Sequence, residues 1–235
     1  MSKLGGGMSG VEEYKGNNFK KKKYTIIRQA ISKDLATFVA NYFSMQKQVY
    51  DTCKASRYFS PFETIIGYYE GENEQIPNTY SQYSNMAMET LLLKCLPKME
   101  KATGLKLYPA YTYARIYKKG DVLKRHKDRF SCEISTTMNL GGNDWPIYLS
   151  PNENVGIPDG KKITTTSQAK GIKVDLKPGD MLVYSGCELE HWREKFKGKE
   201  CIQVFLHYNN RKTPGAKDNM FDKRPHLGLP SWFKR

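Results

Sequence analysis

Long hydrophobic runs are missing from this chain of 235 residues. A membrane-spanning helix needs about 18 or more consecutive apolar residues, and no window of the sequence approaches that length. The N-terminus has no apolar signal region either, because residues 1–18 are polar and rich in glycine. We therefore predict no membrane span, a flexible N-terminal leader over residues 1–18, and a cytoplasmic protein.

Cysteine is scarce and shows no pairing pattern. The cysteines are scattered, odd in number and without a Cys-x-x-Cys pair, at Cys53, Cys95, Cys132, Cys187 and Cys201. A disulfide scaffold or a structural zinc site needs cysteines at short, regular spacing. Free thiols in a reducing compartment are therefore expected, which agrees with a cytoplasmic location.

Acidic residues are few relative to basic ones. The chain has 38 Lys and Arg against 24 Asp and Glu, a formal charge of +14. This excess has two interpretations: an anionic partner such as nucleic acid, an acidic protein or a small polycarboxylate, or a solvated surface with charge in runs such as residues 20–23. The second is favoured, because no regular basic helix face or aromatic nucleic-acid motif accompanies the charge. Nucleic acid stays the alternative partner.

The N-terminal part of the chain has the periodicity of helices. A short strand is predicted at 25–27, and Ser32 then caps a helix whose apolar residues recur with helical spacing, at Leu35, Phe38, Val39, Tyr42 and Phe43. A second helix is predicted from Ser84 to Gly104, kinked or split by Pro97. Residues 53–80 lack a clear period and are predicted to be mostly loop.

From Leu107 onward the period changes to two, which is typical of half-buried strands. Strands are predicted at 108–117, 122–125, 134–140, 147–149, 172–176, 181–184, 189–193 and 201–208, and residues 151–171 are predicted to form an inserted loop or mobile hairpin. The pattern favours an α+β, mainly β fold with a jelly-roll barrel. We expect one domain with a helical support region over 19–106, a barrel core over 107–212 and a C-terminal extension over 213–235.

The tripeptide His126-Lys127-Asp128 and the later His191 are candidate metal ligands. Two imidazoles and one carboxylate form the facial triad that holds non-haem Fe(II) and leaves coordination positions open. His126 and Asp128 differ by two positions, so on an extended segment both point to one side, and His191 is expected to face them across the barrel. Separately, an ordinary polar turn and a strand-end imidazole are the simpler interpretations. Together, and in this order on predicted strands, they favour a metal site.

These residues carry a family resemblance. The chain from Tyr111 to Tyr208 resembles the Fe(II)- and 2-oxoglutarate-dependent dioxygenase superfamily, and within it the prolyl 4-hydroxylase-like branch. The matching pieces are the strand 113–117, the His126/Asp128 pair, the turn at 176–180, His191 and the closing strand 202–208. The resemblance implies a double-stranded β-helix, a cupin-like barrel, with N-terminal support helices outside it.

The resemblance also implies the chemistry. Fe(II) held by His126, Asp128 and His191 would use 2-oxoglutarate and O2, with ascorbate as a further cofactor, to hydroxylate an unactivated C–H bond with release of succinate and CO2. The expected substrate is a protein or peptide side chain, with proline first. The alternatives are a nucleic-acid base hydroxylase or demethylase of the same superfamily, and a non-catalytic cupin-like binding module.

In the family a Lys or Arg on the last barrel strand pairs with the distal carboxylate of 2-oxoglutarate. Cys201 stands where the family count places that cation, so two candidates remain open: Lys199, from the alignment of the closing strands, and Arg193, which should share the inward face of His191. Tyr117 stands close to where relatives place a tyrosine hydroxyl on the 2-oxo acid. Thr137, by strand alternation, could add a hydroxyl to the carboxylate network.

Several neighbours of these residues are expected to have other roles. Tyr113 and Arg115 share a strand face with Tyr117, and a packed core aromatic is the favoured interpretation for Tyr113. His207 and His226 are not needed for the metal and are expected to have structural or surface roles.

Overall fold

The computed structural model describes residues 19–60, 63–150, 158–159, 162–163 and 169–234. The predicted leader and most of the predicted insertion at 151–171 lie outside these residues. The helices are α1 (Phe19–Lys22), α2 (Lys33–Ala55) and α3 (Met86–Thr103). The strands are β1 (Tyr24–Ile27), β2 (Tyr68–Tyr69), β3 (Tyr80–Tyr83), β4 (Leu107–Lys118), β5 (Leu123–His126), β6 (Ile134–Gly142), β7 (Ile147–Leu149), β8 (Pro158–Asp159), β9 (Lys162–Ile163), β10 (Ile172–Val174), β11 (Met181–Ser185), β12 (His191–Arg193) and β13 (Glu200–Asn210).

Two antiparallel sheets form the barrel. The larger has the strand order β1-β11-β6-β13-β4-β3-β2, and the smaller has the order β10-β7-β12-β5. Side chains of both sheets meet in shared apolar clusters, for example Leu149 of the smaller sheet with Leu182 of the larger one. The inner faces of the two sheets therefore face one another, and the predicted mainly β, double-stranded β-helix is confirmed.

Helices α2 and α3 pack on the outer face of the larger sheet. Ser32 caps α2 as predicted, its Oγ accepting a hydrogen bond from the Leu35 amide at 3.2 Å. The buried face of α2 is formed by Ala36, Val39, Ala40, Phe43 and Tyr50, whereas Phe38 is 69% exposed. The predicted apolar stripe is therefore only partly the packing face.

The helix is not split at Pro97, one of the two predicted outcomes, because α3 continues through it from Met86 to Thr103. The kink stays a prediction. Pro97 has no N–H to donate to the carbonyl of Leu93, and Leu93 lies on the exposed side of the helix, where water can bind that oxygen. On the other side, Leu92, Cys95 and Met99 are fully buried against the sheet. Packing thus keeps the helix whole, and it ends at Gly104 as predicted, where the backbone is left-handed with φ 71°.

The described part of residues 53–80 is mostly loop, as predicted, with short exceptions. Helix α2 extends to Ala55, and β2 and β3 lengthen the larger sheet at its β4 edge. These strands are too short to show an alternating pattern, and they exist because β4 offers partners, such as Ile116 opposite Tyr80.

All five cysteines are free. Among the described helices, none combines the length and hydropathy that a membrane crossing requires.

Candidate metal centre

The three predicted metal ligands lie together at one end of the smaller sheet. His126 is the last residue of β5, Asp128 follows it, and His191 is the first residue of β12. The two histidines are direct partners in the antiparallel pairing of these neighbouring strands. The expectation that His191 faces the pair across the barrel is therefore wrong. Strand pairing itself brings the imidazoles together, with ring centroids 4.2 Å apart.

One carboxylate oxygen is shared between the two imidazoles. Asp128 Oδ1 lies 3.6 Å from His126 Nε2 and 3.5 Å from His191 Nε2. The three ligand atoms lie within 4.8 Å of one another. Nitrogen and carboxylate ligands about 2.0–2.2 Å from a common metal ion lie at such mutual separations. The geometry thus fits a single metal ion facing the barrel interior.

The outer nitrogen of each imidazole fixes the ring. His126 Nδ1 lies 2.8 Å from the carbonyl oxygen of Lys124, and His191 Nδ1 lies 3.0 Å from that of Leu189. A carbonyl only accepts, so each Nδ1 carries the proton and donates it. The lone pair of each neutral ring is then on Nε2, pointing at the shared centre, which is the arrangement of metal-ligating histidines.

Asp128 is oriented by contacts on its other side. Its Oδ2 accepts a hydrogen bond from Ser135 Oγ at 2.9 Å, and its backbone amide donates to the carbonyl of Gly186 at 2.8 Å. A Cβ on Gly186 would collide with Asp128 Oδ2 and with the carbonyl of Cys132. Residue 186 therefore has to be glycine for the carboxylate to reach this position.

The electrostatics suit a divalent cation. Burial, with repulsion from the neighbouring His191, lowers the pKa of His126 to about 4. Burial alone would raise the pKa of Asp128, but electrostatic attraction to His191 and His126 holds it well below its ordinary value. At neutral pH the site therefore presents a neutral His126 and a charged carboxylate, which are the protonation states that a metal needs.

A cavity of about 490 Å³ opens onto the three ligands. Aromatic and polar side chains line it, among them Tyr68, Tyr113, Arg115, Tyr184 and His207. At its mouth the amide Nε2 of Gln75 lies 3.0 Å from His126 Nε2, and Arg115 Nη1 donates to Gln75 Oε1 at 2.8 Å. Arg115 in turn pairs with the buried Glu70 at 2.8 Å. Gln75 thus covers the ligand nitrogen of His126 from the mouth.

Arg193 is a fully buried cation without a counter-ion. Only 1% of it is exposed, and no acidic side chain of the described chain pairs with it. Its Nη2 donates to Thr137 Oγ1 at 3.0 Å and its Nη1 to the carbonyl of Trp145, but Nε has no partner among the described residues. Burial lowers the pKa of its guanidinium. An uncompensated buried charge costs several kcal/mol, about 3–5 when a partner is removed, so this group is suited to an anion.

Tyr117 lies beside this guanidinium. Its ring centroid is 4.8 Å from that of Trp145, and the Arg193 guanidinium lies 5.1 Å from the same ring. The buried hydroxyl of Tyr117 has no hydrogen-bond partner in the described part of the chain. The fold thus brings together Arg193, Thr137 and Tyr117, three of the four residues predicted to bind the co-substrate.

Lys199, the fourth, lies outside this group. It precedes β13, which begins at Glu200, and its side chain is exposed while its backbone amide donates to Asn143 Oδ1 at 2.8 Å. The sequence alignment put it on the closing strand, but a turn at the barrel surface comes first. This position gives it no access to the interior.

Four residues of the site were missed in the sequence: Gln75, Ser135, Gly186 and His207. Ser135 had a signal, because it shares a strand face with Thr137 two positions later. Phe205 and His207 both line the cavity, which identifies the inward face of β13. Gln75 lies in an irregular segment, and no spacing rule connects it to His126.

No protein-family model and no curated protein matches this chain. Solved structures do match. The non-haem α-ketoglutarate-dependent epimerase SnoN of nogalamycin biosynthesis is 12% identical, with a TM-score of 0.60 over 91% of this chain and 92% of its own. HygX from Streptomyces hygroscopicus, solved with nickel and 2-oxoglutarate, is 12% identical, with a TM-score of 0.52 over 83% and 85%. A prolyl hydroxylase from Trichoplax adhaerens, solved with a hypoxia-inducible-factor peptide, is 14% identical, with a TM-score of 0.53 over 83% and 87%. The chain therefore has the fold of 2-oxoglutarate-dependent oxygenases.

Proposed function

We propose that this protein is an Fe(II)- and 2-oxoglutarate-dependent oxygenase that hydroxylates an unactivated C–H bond with release of succinate and CO2. The observation that carries the proposal is the convergence of His126 Nε2, His191 Nε2 and Asp128 Oδ1, with both Nδ1 atoms held by backbone carbonyls. This donor set suits non-haem Fe(II) and leaves positions for other ligands. When bound, iron supplies oxygen activation coupled to decarboxylation of the 2-oxo acid.

The co-substrate assignment depends on Arg193. A buried guanidinium with an unused Nε pairs naturally with a carboxylate, which forms charge-assisted hydrogen bonds with it. Tyr117 has an unused hydroxyl nearby and Thr137 contacts the same guanidinium. These three residues would hold the distal carboxylate and leave the 2-oxo acid end for the metal centre. The HygX structure, with nickel and 2-oxoglutarate bound, supports this use of the fold.

The chain also has to exclude water and admit a substrate. The barrel walls bury Tyr184 and His191, so the metal face is reached through the cavity mouth where Gln75 lies. The amide of Gln75 is next to the lone pair that the metal needs, so it has to turn aside when the metal is bound. Arg115 holds its other end and limits how far it moves.

For the substrate we propose a protein or peptide side chain, with proline as the first candidate. The support is the resemblance of the metal strands to the prolyl hydroxylase branch, together with the peptide bound by the Trichoplax enzyme of similar fold. The net charge of +14 is the only feature that favours nucleic acid.

Succinate formation tests the proposal. The purified protein is supplied with Fe(II), 2-oxoglutarate and oxygen, with either a proline-containing peptide or a single-stranded oligonucleotide. We expect succinate above background, stimulated by the peptide, and loss of that activity in His126→Ala and Asp128→Ala. Calorimetry with Zn(II) is the second readout, because both variants should also lose metal binding. Unchanged turnover in both variants would contradict the proposal.

A further inference from the structure

His207 is a buried histidine that the metal centre does not use. It lies on β13, is 6% exposed and lines the cavity beside the ligands. Its ring packs against that of Tyr111, with centroids 4.5 Å apart and ring planes tilted by 30°. The ring therefore faces the cavity without being one of the three metal ligands. What it can bind depends on which of its two nitrogens carries the proton.

The hydrogen bonds around Ser135 determine where the proton of His207 is. Ser135 Oγ lies 2.9 Å from Asp128 Oδ2, 2.8 Å from the Cys132 carbonyl oxygen and 2.9 Å from His207 Nδ1. The two oxygens only accept, and the serine hydroxyl has a single proton. If that proton went to His207, both oxygens would face Oγ without a hydrogen between them. The proton therefore goes to an oxygen, and His207 Nδ1–H donates to Oγ.

This assignment leaves a lone pair on His207 Nε2. No group in the described part of the chain hydrogen-bonds to that atom. Burial lowers the pKa of His207 to about 4, so the ring is neutral near physiological pH. The cavity therefore contains a fixed hydrogen-bond acceptor, connected through Ser135 to the metal ligand Asp128.

The surroundings of His207 favour an uncharged donor. The acidic side chains that act on His207 are already engaged: Asp128 is a candidate metal ligand, and Asp222 pairs with Arg129 at 2.8 Å. A cationic donor beside His207 would therefore be buried without a counter-ion of its own, which is costly. A hydroxyl or an amide N–H carries no such cost.

We propose that His207 binds the substrate by accepting a hydrogen bond at Nε2 from an uncharged hydroxyl or amide N–H close to the carbon that is oxidised. This inference rests on the proposed function, because it assigns a substrate group to the same cavity. It predicts that substrates have such a donor next to the reacting carbon. For a peptide, the donor is the amide N–H that follows a proline, since the proline nitrogen has no hydrogen.

The ring proton is tested by nitrogen-15 NMR of histidine-labelled protein. The chain has only four histidines, and His207→Asn identifies the resonances of this one. The protein is loaded with Zn(II) and 2-oxoglutarate, so that no turnover occurs. We expect a neutral ring with the proton on Nδ1 and a bare Nε2. A proton on Nε2, or a charged ring at about pH 7, overturns the proposal.

Two pairs of probes test the donor. One is acetyl-Pro-Gly-amide with its N-methylglycine counterpart, and the other is cyclopentanol with cyclopentyl methyl ether. We expect the Nε2 resonance to shift with a donor-bearing probe and not with its methylated partner. An Nε2 that ignores both donor-bearing probes, or responds equally to both members of each pair, overturns the proposal.

Matched variants separate recognition from structure. His207→Asn keeps an amide N–H where Nδ1 stands but has no acceptor where Nε2 stands, whereas His207→Gln offers its Oε1 near Nε2. Wild type should form succinate about 3- to 10-fold faster with the donor-bearing probe than with its methylated partner, which is the worth of one neutral hydrogen bond. His207→Asn should lose this preference and keep Zn(II) binding, and His207→Gln should retain part of it. If wild type makes no succinate with any probe, the proposed function fails; if succinate is made without discrimination between paired probes, only this inference fails.

Discussion

Two residues behind the metal centre, Gly186 and Ser135, hold the candidate ligand Asp128 in place. Asp128 reaches its position because Gly186 has no Cβ and because Ser135 binds the outer carboxylate oxygen. Such outer contacts are typically worth 10- to 100-fold in metal affinity. Metal binding should therefore also be sensitive to substitution at these two positions, although neither residue is a metal ligand.

Gly186→Ala is expected to abolish metal binding while the protein stays folded. The new Cβ would overlap Asp128 Oδ2 and the Cys132 carbonyl, so the carboxylate has to move away from the histidines. Gly141→Ala is the control, because its Cβ would meet Ala40 at 3.5 Å, an ordinary contact. Zn(II) calorimetry and circular dichroism measure both effects. Tight binding in Gly186→Ala would show that Asp128 is not held as described.

Arg193→Met is expected to weaken 2-oxoglutarate binding by about 10- to 100-fold, the worth of a hydrogen bond to a charged group. Methionine fills the space but has no charge for the distal carboxylate. Lys199→Ala is the matched control, since this exposed lysine lies outside the barrel and its removal should leave affinity within about 2-fold. Equilibrium binding to the Zn(II)-loaded protein measures both. Equal losses in the two variants would contradict the assignment to Arg193.

For helix α2, the sequence pattern predicts the helix itself better than it predicts which side chains face the sheet. The cap at Ser32 and the spacing of apolar residues predicted the helix, but Phe38 is exposed whereas Ala36 and Ala40 pack inward. Phe38 lies on the side of α2 that is turned away from the sheet, whereas Phe43 lies on the buried side with the two alanines. Sequence rules do not predict which side of α2 packs, because the sheet on which it packs exists only after the barrel has formed.

Phe38 and Phe43 should therefore respond differently to mutation, although both belong to the predicted stripe. Phe43 is fully buried, so Phe43→Ala should lower the free energy of unfolding by about 3–5 kcal/mol. Phe38→Ala should change it by no more than about 0.5 kcal/mol, as surface substitutions do. Urea denaturation compares the two directly. A loss at Phe38 as large as at Phe43 would mean that another surface covers α2.

Pro97→Ala is expected to raise the free energy of unfolding by about 1–3 kcal/mol, because alanine restores the amide and removes the cost of proline within a helix. The gain should fall below the full cost, since the free carbonyl of Leu93 lies on the exposed side of α3. Lys94→Ala, an exposed substitution in the same helix, is the control and should have little effect. Thermal and urea unfolding measure the change, and a destabilised Pro97→Ala protein would contradict this account of α3.

At the scale of the whole molecule, strands were more predictable than the contacts between them. Period two, short apolar runs and turn residues placed β4 to β7 and β10 to β13 close to their observed bounds. The pairing of His191 with His126 could not be inferred, because it depends on which strands neighbour one another in the smaller sheet. Predicting the cation that pairs with the co-substrate had the same difficulty: counting along the chain led to Cys201 and aligning the closing strands offered Lys199, while three-dimensional burial favours Arg193.

The buried histidines make stability depend on pH across the whole fold. The pKa of His207 is about 4 in the folded state and 6.5 for an ordinary histidine, so the unfolded chain takes up a proton first as pH falls. The contribution of His207 to the free energy of unfolding should therefore be fully present above about pH 6.5. It should decrease towards about pH 4 and change no further below that. His126 acts in the same direction, since its pKa is also lowered to about 4.

Removing one of these histidines should flatten that dependence. Between about pH 7 and pH 4.5, metal-free wild type should lose more unfolding free energy than His207→Gln, by up to about 3 kcal/mol at about 1.4 kcal/mol per pH unit. His226→Gln is the matched control, because it makes the same substitution at an exposed histidine. Urea denaturation at both pH values, with chelator present, measures the three proteins. Equal losses in wild type and His207→Gln would mean that His207 takes up its proton as readily in the fold as in the unfolded chain, so that burial does not keep the ring neutral as pH falls.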